Sequence, residues 1–361
     1  MKPIEFGVMT FADMQPESDP GKGQHAYQRI KDLKEEIMLA DELGIDVFGI
    51  GEHHRIDYAV SSPVTILAAA AAITKNIKLT SAVTVLSSDD PVRVYQQFAT
   101  VDLISGGRAE IMAGRGSFVE SFPLFGYDLQ DYDELFEEKL RLLLEINQHE
   151  KVNWSGKLRR PIPNLGVYPR ALNGGMPVWI AAGGTPSSAL RAAKLGLPLM
   201  LAIIGGRPDQ FVPFIDLYKR SSLKAGKKPE ELQVGINNHV LIGENDKEIA
   251  DKYFPYYATM MNRIGRDRGW PPLSREQFEF MRSEQGSLMT GSVEKVVEKF
   301  VYEYKLFGFT RFMAHTSIGW VPHELTMKSI ELYGKEVIPE VKRRLALEKT
   351  ARPQNNQPSL S

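Results

Sequence analysis

The stretch Gly107-Arg-Ala-Glu-Ile-Met-Ala-Gly-Arg-Gly116 decides the fold. Ala109 to Ala113 predicts a strand, and the strand ends in an arginine flanked by Gly114 and Gly116. Glycine at a strand end lets the backbone come close to a ligand. The planar guanidinium of Arg115 is suited to phosphate, because its fork matches two phosphate oxygens at once. A second glycine turn, Ala182-Gly-Gly-Thr-Pro-Ser-Ser-Ala189, stands between an apolar run and a helical pattern. If both turns sit on one rim, they make a phosphate pocket.

Working outward, the same joint recurs. Leu43-Gly-Ile-Asp-Val-Phe-Gly is echoed by Leu195-Gly-Leu-Pro-Leu-Met-Leu and by Phe307-Gly-Phe-Thr-Arg-Phe-Met. Each is a helix end, a capping glycine and an apolar strand, the signature of a parallel sheet built from βα units. Strands are expected at 4–11, 46–51, 78–86, 109–113, 178–182, 199–204, 233–242 and 309–315, with helices between them. Eight such units imply an α/β fold, a (β/α)8 TIM barrel, over residues 1–345 as one domain. An open doubly wound sheet is the alternative.

Three segments fall outside the alternation. Met14 to Gln24 reads as a loop. Residues 253–291 hold Pro255, Gly265, Gly269, Pro271, Pro272 and Gly286 together with Arg263, Arg266 and Arg268, and read as a mobile lid inserted before the last βα unit. The alternative there is a surface excursion that packs on itself. Residues 346–361 are polar and rich in Pro, Gln and Asn, and read as a disordered tail.

With 43% hydrophobic and 25% charged residues the chain has the balance of a globular enzyme. A formal net charge of −1 gives no basis for a nucleic-acid or membrane partner. The absence of cysteine excludes disulfides, thiolate metal sites and cysteine nucleophiles. The N-terminus lacks a signal-peptide pattern and no apolar run is long enough to span a bilayer, so a cytoplasmic location is expected.

Glu52-His53-His54 follows the second strand directly, where barrel enzymes carry catalytic side chains. Side chains alternate along an extended chain, so one histidine faces the pocket and the other supports it. A metal site would need His239 or His315 as further ligands, and no metal is expected from this spacing. In the second glycine turn, Thr185 suits a helix cap and Pro186 the first helical turn. The free amides there and the helix dipole favour an anion. Small residues at Ser81-Ala82-Val83-Thr84 leave room for a flat ring. Phe11, Phe118, Phe122 and Ile203 are expected to make the pocket apolar.

Taken in order, these motifs, with Phe6-Gly7, Pro91-Val-Arg93, Asp102-Leu-Ile-Ser-Gly-Gly-Arg108 and Gly334-Lys-Glu-Val-Ile-Pro339, resemble the bacterial-luciferase-like flavin-dependent monooxygenases from Ile4 to about Val341. The resemblance implies reduced FMN, or in one branch a deazaflavin, reacting with O₂ to oxidise a small organic substrate. NAD(P)H would supply electrons directly or through a separate flavin reductase, and the protein would be a homodimer. Arg115 and Ser117 with Gly183, Gly184, Thr185 and Ser187 would bind the FMN phosphate. Ala82–Val83 would be a cis peptide behind the isoalloxazine. His53 would stand near the reactive face and move a proton near pH 7. Where the luciferase catalytic chain carries Glu-Ser, this one has Gly183-Gly184, so light emission is not implied. A non-catalytic flavin-binding subunit, a metal-dependent barrel hydrolase and a phosphosugar isomerase remain as alternatives.

Overall fold

The computed structural model describes residues 3–14, 24–116 and 118–351. Gly44, Gly196 and Gly308 follow their helices with φ of 69°, 65° and 58°, the left-handed turn that starts each following strand. The strands are β1 (Glu5–Thr10), β2 (Val47–Ile50), β3 (Lys78–Ser81), β4 (Ala109–Gly114), β5 (Val178–Ala182), β6 (Leu199–Ala202), β7 (Val234–Gly243) and β8 (Arg311–His315). They pair in parallel in chain order, and β8 returns to β1 with Phe6 opposite Phe312. The sheet is therefore closed, and the barrel is correct over the open-sheet alternative.

Outside it lie α1 (Gln24–Glu42), α2 (Pro63–Ile73), α3 (Pro91–Ser105), α4 (Tyr132–Gln148), α5 (Pro186–Lys194), α6 (Val212–Lys224), α7 (Asp246–Arg268), α8 (Arg275–Met281), α9 (Val293–Phe307) and α10 (His323–Leu332). The Asp102-to-Arg108 motif is a brace. Arg108 donates to Thr74 Oγ1 and to the carbonyls of Ala71, Thr74 and Ile77, which ties the end of α2 to β4.

The strand period of two sorts the interior into layers. Arg311, Met313 and His315 of β8 all point inward. At the bottom, buried Arg311 makes paired hydrogen bonds to Glu110 (2.6 and 3.0 Å) and Glu5 (2.9 and 2.6 Å), and its guanidinium lies 4.2 Å from the Trp179 ring centre. Above it, Met9, Met112, Met200 and Met313 fill the bore with Val47 and Ala82. Two glycines make room for them. A Cβ on Gly7 would fall 2.3 Å from Met313 Sδ, and one on Gly235 would fall 2.3 Å from Met200 Cε.

Several expectations need correction. Residues 253–291 are mostly helix. α7 runs through Pro255 and Gly265, α8 follows, and Met289–Ser292 pairs with the end of β7. A proline inside a helix costs roughly 3 kcal/mol. The α7 side chains Tyr253, Tyr257 and Met260 offset that by packing with Phe278, Leu288 and Ile318 in a cluster of their own. Residues 151–154 and 162–166 add an antiparallel hairpin outside the barrel alternation. The last helix extends through a π-helical turn (Tyr333–Val337) to Ala351, so residues 346–351 are helical rather than tail. Most of the expected 14–24 loop, and the remaining tail 352–361, lie outside the described residues.

Candidate active site

The third strand breaks where the ring-sized gap was expected. After Ser81 the Ala82–Val83 peptide is cis, and Thr84–Val85 then pairs with β4 opposite Ala113 and Gly114. Val83 packs so closely on Gly114 that a Cβ there would lie 2.7 Å from Val83 Cγ2. Gly114→Ala is therefore expected to push Val83 out of place, lowering the melting temperature by several degrees, roughly 1–3 kcal/mol of overpacking. Differential scanning calorimetry checks this, and an unchanged melting temperature would show that the contact yields without cost.

β2 delivers the Glu52-His53-His54 triplet. Glu52 Oε2 accepts the Val85 amide at 2.8 Å and Oε1 pairs with His54 Nε2 at 2.9 Å. The carboxylate thus ties the end of β2 to the strand beyond the cis peptide. His53 is turned the other way. It stacks on Tyr58 (ring centres 4.2 Å apart) and meets Phe11 and Phe118 edge-on at 4.4 and 5.2 Å. Burial pulls its imidazole down to about 3, and the charges of His54 and Arg55 push the same way. Burial therefore favours the neutral imidazole, the form expected to act near pH 7. The ring can still accept or donate a hydrogen bond.

β4 ends in Arg115. The Tyr132 hydroxyl donates to the Gly116 carbonyl at 2.5 Å, and the guanidinium lies 5.3 Å from the Tyr132 ring centre. Its Nη1 pairs with exposed Asp133 at 2.6 Å, and its Nη2 reaches Ser188 Oγ at 3.5 Å. Ser188 also shares a 2.9 Å hydrogen bond with Thr185 Oγ1. Thr185 is the N-cap of α5 with Pro186 following, but its side chain makes no cap hydrogen bond. The two glycine turns therefore meet, and Arg115 and the start of α5 form one cradle. A Cβ on Gly183 would meet nothing within 4 Å, so the cradle is open there. An arginine with unused donors, two hydroxyls and a helix N-terminus make a donor set that suits a phosphate dianion.

One cavity of about 330 Å³ joins these parts. His53, Ala82, Val83, Arg115, Gly183 and Thr185 all line it. Gly184 and Ser187 belong to the same turn but do not reach the lining, and Ser187 Oγ lies 3.4 Å from Thr185 Oγ1. Ser117 lies outside the described residues. Of the expected apolar wall, Phe11 and Phe118 line the cavity, whereas Phe122 stacks on Tyr132 and Ile203 is in the core beside the helices. Ile204, one residue on, takes the place of Ile203 in the lining.

Three lining residues come from the far strands. Asn237 and His239 project from β7 and His315 from β8. Burial lowers His239 to about 4 and His315 well below the usual imidazole value. The structure thus brings His53, His239 and His315 to one chamber, where a metal hydrolase would draw on His53 with His239 or His315. Among the described residues, though, no group of three or more His, Cys, Asp or Glu side chains could hold a metal ion. Nor is any described helix long and apolar enough to cross a membrane.

A closed barrel with this cradle and chamber on its rim has the build of a flavin-dependent oxidoreductase. Comparison with known proteins narrows the class. Residues 4–311 match the family model described as luciferase-like monooxygenase, and the chain belongs to that family. The 4-hydroxyprotoasukamycin monooxygenase of Streptomyces nodosus subsp. asukaensis is 24% identical over 314 residues, 83% of each chain. Among solved structures, the oxygenating constituent of 3,6-diketocamphane monooxygenase from Pseudomonas putida, in complex with FMN, superposes with a TM-score of 0.75. It is 20% identical and the match covers 94% of this chain and 99% of that one. The coenzyme F420-dependent tetrahydromethanopterin reductase of Methanopyrus kandleri superposes with a TM-score of 0.68 at 20% identity, covering 94% and 99%. This family membership makes the protein a flavin-dependent monooxygenase by class.

Proposed function

We propose that the protein binds reduced FMN and uses it with O₂ to oxidise a small organic substrate. The observation that carries this reading is the meeting of the Arg115 strand end, the Gly183–Thr185 turn and the Ala82–Val83 cis peptide on one cavity. Arg115, Thr185, Ser188 and the first turn of α5 would hold the phosphate. Ala82 and Val83 would back the flavin ring. When bound, reduced FMN supplies the electrons and the oxygen-activating chemistry. His53, neutral and clamped between aromatic rings, would offer a hydrogen bond at the reacting face. Phe11, Phe118 and the methionine floor would keep water out. α7 and α8, the segment read as a lid, would close the chamber on the side of His239, which Tyr257 of α7 contacts.

FMN fluorescence titration tests the binding. Arg115→Ala is expected to weaken it by about tenfold or more, as suits the loss of a charge-assisted bond worth roughly 1.5–3 kcal/mol. Undiminished affinity would remove Arg115 from the phosphate site. Titrating coenzyme F420 beside FMN separates the deazaflavin reading. For the chemistry, protein with reduced FMN is mixed anaerobically with aerated buffer. Oxidation slower than that of free flavin supports a shielded site, and oxidation at the free-flavin rate speaks for a carrier. Adding NADH or NADPH to FMN-loaded protein without O₂ tells direct reduction from delivery by a reductase.

We also propose a homodimer. Leu103 and Ile104 at the end of α3 and the nearby Tyr168 and Leu172 are all exposed, and α3 is hydrogen-bonded to their segment through Gln96 and Asp102. Sedimentation of wild type and Leu103→Glu would test this face.

A further inference from the structure

β7 carries the polar part of the cavity floor. Asn237 and His239 lie two residues apart on it and share the inward face. The bonds each already makes determine what it has left. Asn237 Nδ2 donates to the Met313 carbonyl at 3.0 Å and to Met9 Sδ at 3.1 Å. A carbonyl oxygen only accepts, so the amide nitrogen must be the atom turned to it. Oδ1 is left as an acceptor with no partner among the described residues.

His239 Nδ1 lies 3.1 Å from the Tyr257 hydroxyl, and Tyr257 is fully buried. That hydroxyl has no other partner among the described residues. Leaving its hydrogen unpaired in the interior is unfavourable, so the hydroxyl donates to Nδ1 and the imidazole proton sits on Nε2. Burial keeps the ring neutral. The far edge of His239 is therefore an uncharged N–H donor, also without a partner among the described residues.

Of the charged lining residues, Glu52 holds His54 and the Val85 amide and Glu120 pairs with Arg55, while Arg115 belongs to the anion cradle with Thr185 and Ser188. Beside Asn237 and His239 the floor holds a third polar group, His315, whose ring centre lies 5.3 Å from that of His239, and is otherwise thioether and aromatic, with Met9, Met112, Met200 and Phe11. We propose that this cavity takes an uncharged, mainly apolar substrate bearing a hydroxyl group, an alcohol or a phenol. Its oxygen accepts from His239 Nε2–H and its hydrogen is donated to Asn237 Oδ1. The methionines adapt to the hydrocarbon body. A bare hydrocarbon leaves both polar atoms unpaired, and an anionic head group finds no free counter-charge beside them. This assignment rests on the reading of the cavity as the reaction chamber, but the binding itself needs no flavin.

p-Cresol, toluene and p-toluenesulfonate share one ring and differ in the head group. Their affinities for the full chain are measured by NMR titration with and without FMN, while FMN binding is read separately by fluorescence. p-Cresol is expected to bind about tenfold more tightly than either of the others, as suits two neutral hydrogen bonds. His239→Phe should bring it down to the level of toluene. Tyr257→Phe frees the imidazole proton to sit on either nitrogen and should reduce the preference about threefold without abolishing it. Equal affinity for p-cresol and toluene overturns the proposal, as does tightest binding of the sulfonate in Arg115→Ala protein, whose anion cradle is disarmed, or a p-cresol preference that survives His239→Phe. A preference for p-cresol in a protein that does not bind FMN would uphold the hydroxyl site and reject the flavin reading.

Discussion

Replacing Arg311 with methionine is expected to lower stability by roughly 3–5 kcal/mol, the cost of breaking a buried ion pair from one side. Arg311 is 1% exposed and Glu110 3% exposed, so the change strands a carboxylate at the base of the barrel. Burial alone would raise the neighbouring Glu5 carboxyl, but Arg311 and Lys78 hold it below its ordinary value. Lys78 Nζ stands 3.6 Å from Glu110 and remains to soften the loss, which favours the lower part of the range. The methionine also loses the stacking on Trp179. Urea unfolding of wild type and variant measures the difference. Adding Glu110→Gln to Arg311→Met should restore part of the stability by removing the stranded charge. A loss below about 1 kcal/mol for the single change would mean that the clasp does not stabilise the barrel.

The buried histidines set a second large effect, on acid stability. An unfolded histidine titrates near 6.5, whereas His53 and His239 are lowered by burial to about 3 and about 4, and His315 well below its ordinary value. As pH falls from about 6.5, the unfolded chain takes up protons that the folded chain refuses. Each such histidine then costs about 1.4 kcal/mol per pH unit until its folded value is reached. Asp13 works against them. Burial raises it to about 7, so between about 3.8 and 7 the folded state holds a proton that the unfolded state lacks. Burial raises Glu303 in the same direction. The three histidines outnumber the two carboxyls, so stability falls between about pH 6 and 5. His239→Gln removes one titrating group and should make that slope shallower, by up to about 1.4 kcal/mol per pH unit. Urea midpoints at pH 6.0, 5.5 and 5.0 would show it. A slope as steep in the variant as in wild type would mean that His239 is not held neutral in the folded state.

The barrel was legible because its joints are local. A helix ending on Leu43-Gly44 or Phe307-Gly308 needs only glycine's freedom at positive φ, and that freedom is written in the residue itself. Strand Val178–Ala182 came out with the boundaries its pattern predicts. α7 was not legible, since Pro255 and Gly265 read as breakers. What overrides them is a tertiary cluster around Tyr253, Tyr257 and Phe278, and no local rule contains it. The site divided in the same way. Arg115 and the Gly183 turn stand out by residue type. Asn237 attracts no notice in a sequence, and its role follows only from which strand face turns inward and which of its atoms Met313 occupies. His239 and His315 were visible as residues, but only as what a metal-site alternative would use. Burial makes them neutral hydrogen-bonding groups instead.

The methionines above the Arg311 clasp bear on how such a chamber changes over time. Their side chains lie across Gly7 and Gly235, where a Cβ would collide with Met313 or Met200. Bulk can therefore be traded between the two members of each pair, a larger residue at the glycine against a shorter one at the methionine, without altering the barrel's circumference. Chamber depth and rim geometry are in that sense separately heritable. An exchange at 235 with 200 would reshape the chamber that Met200 lines while leaving the anion cradle untouched, whereas one at 7 with 313 would repack the bore.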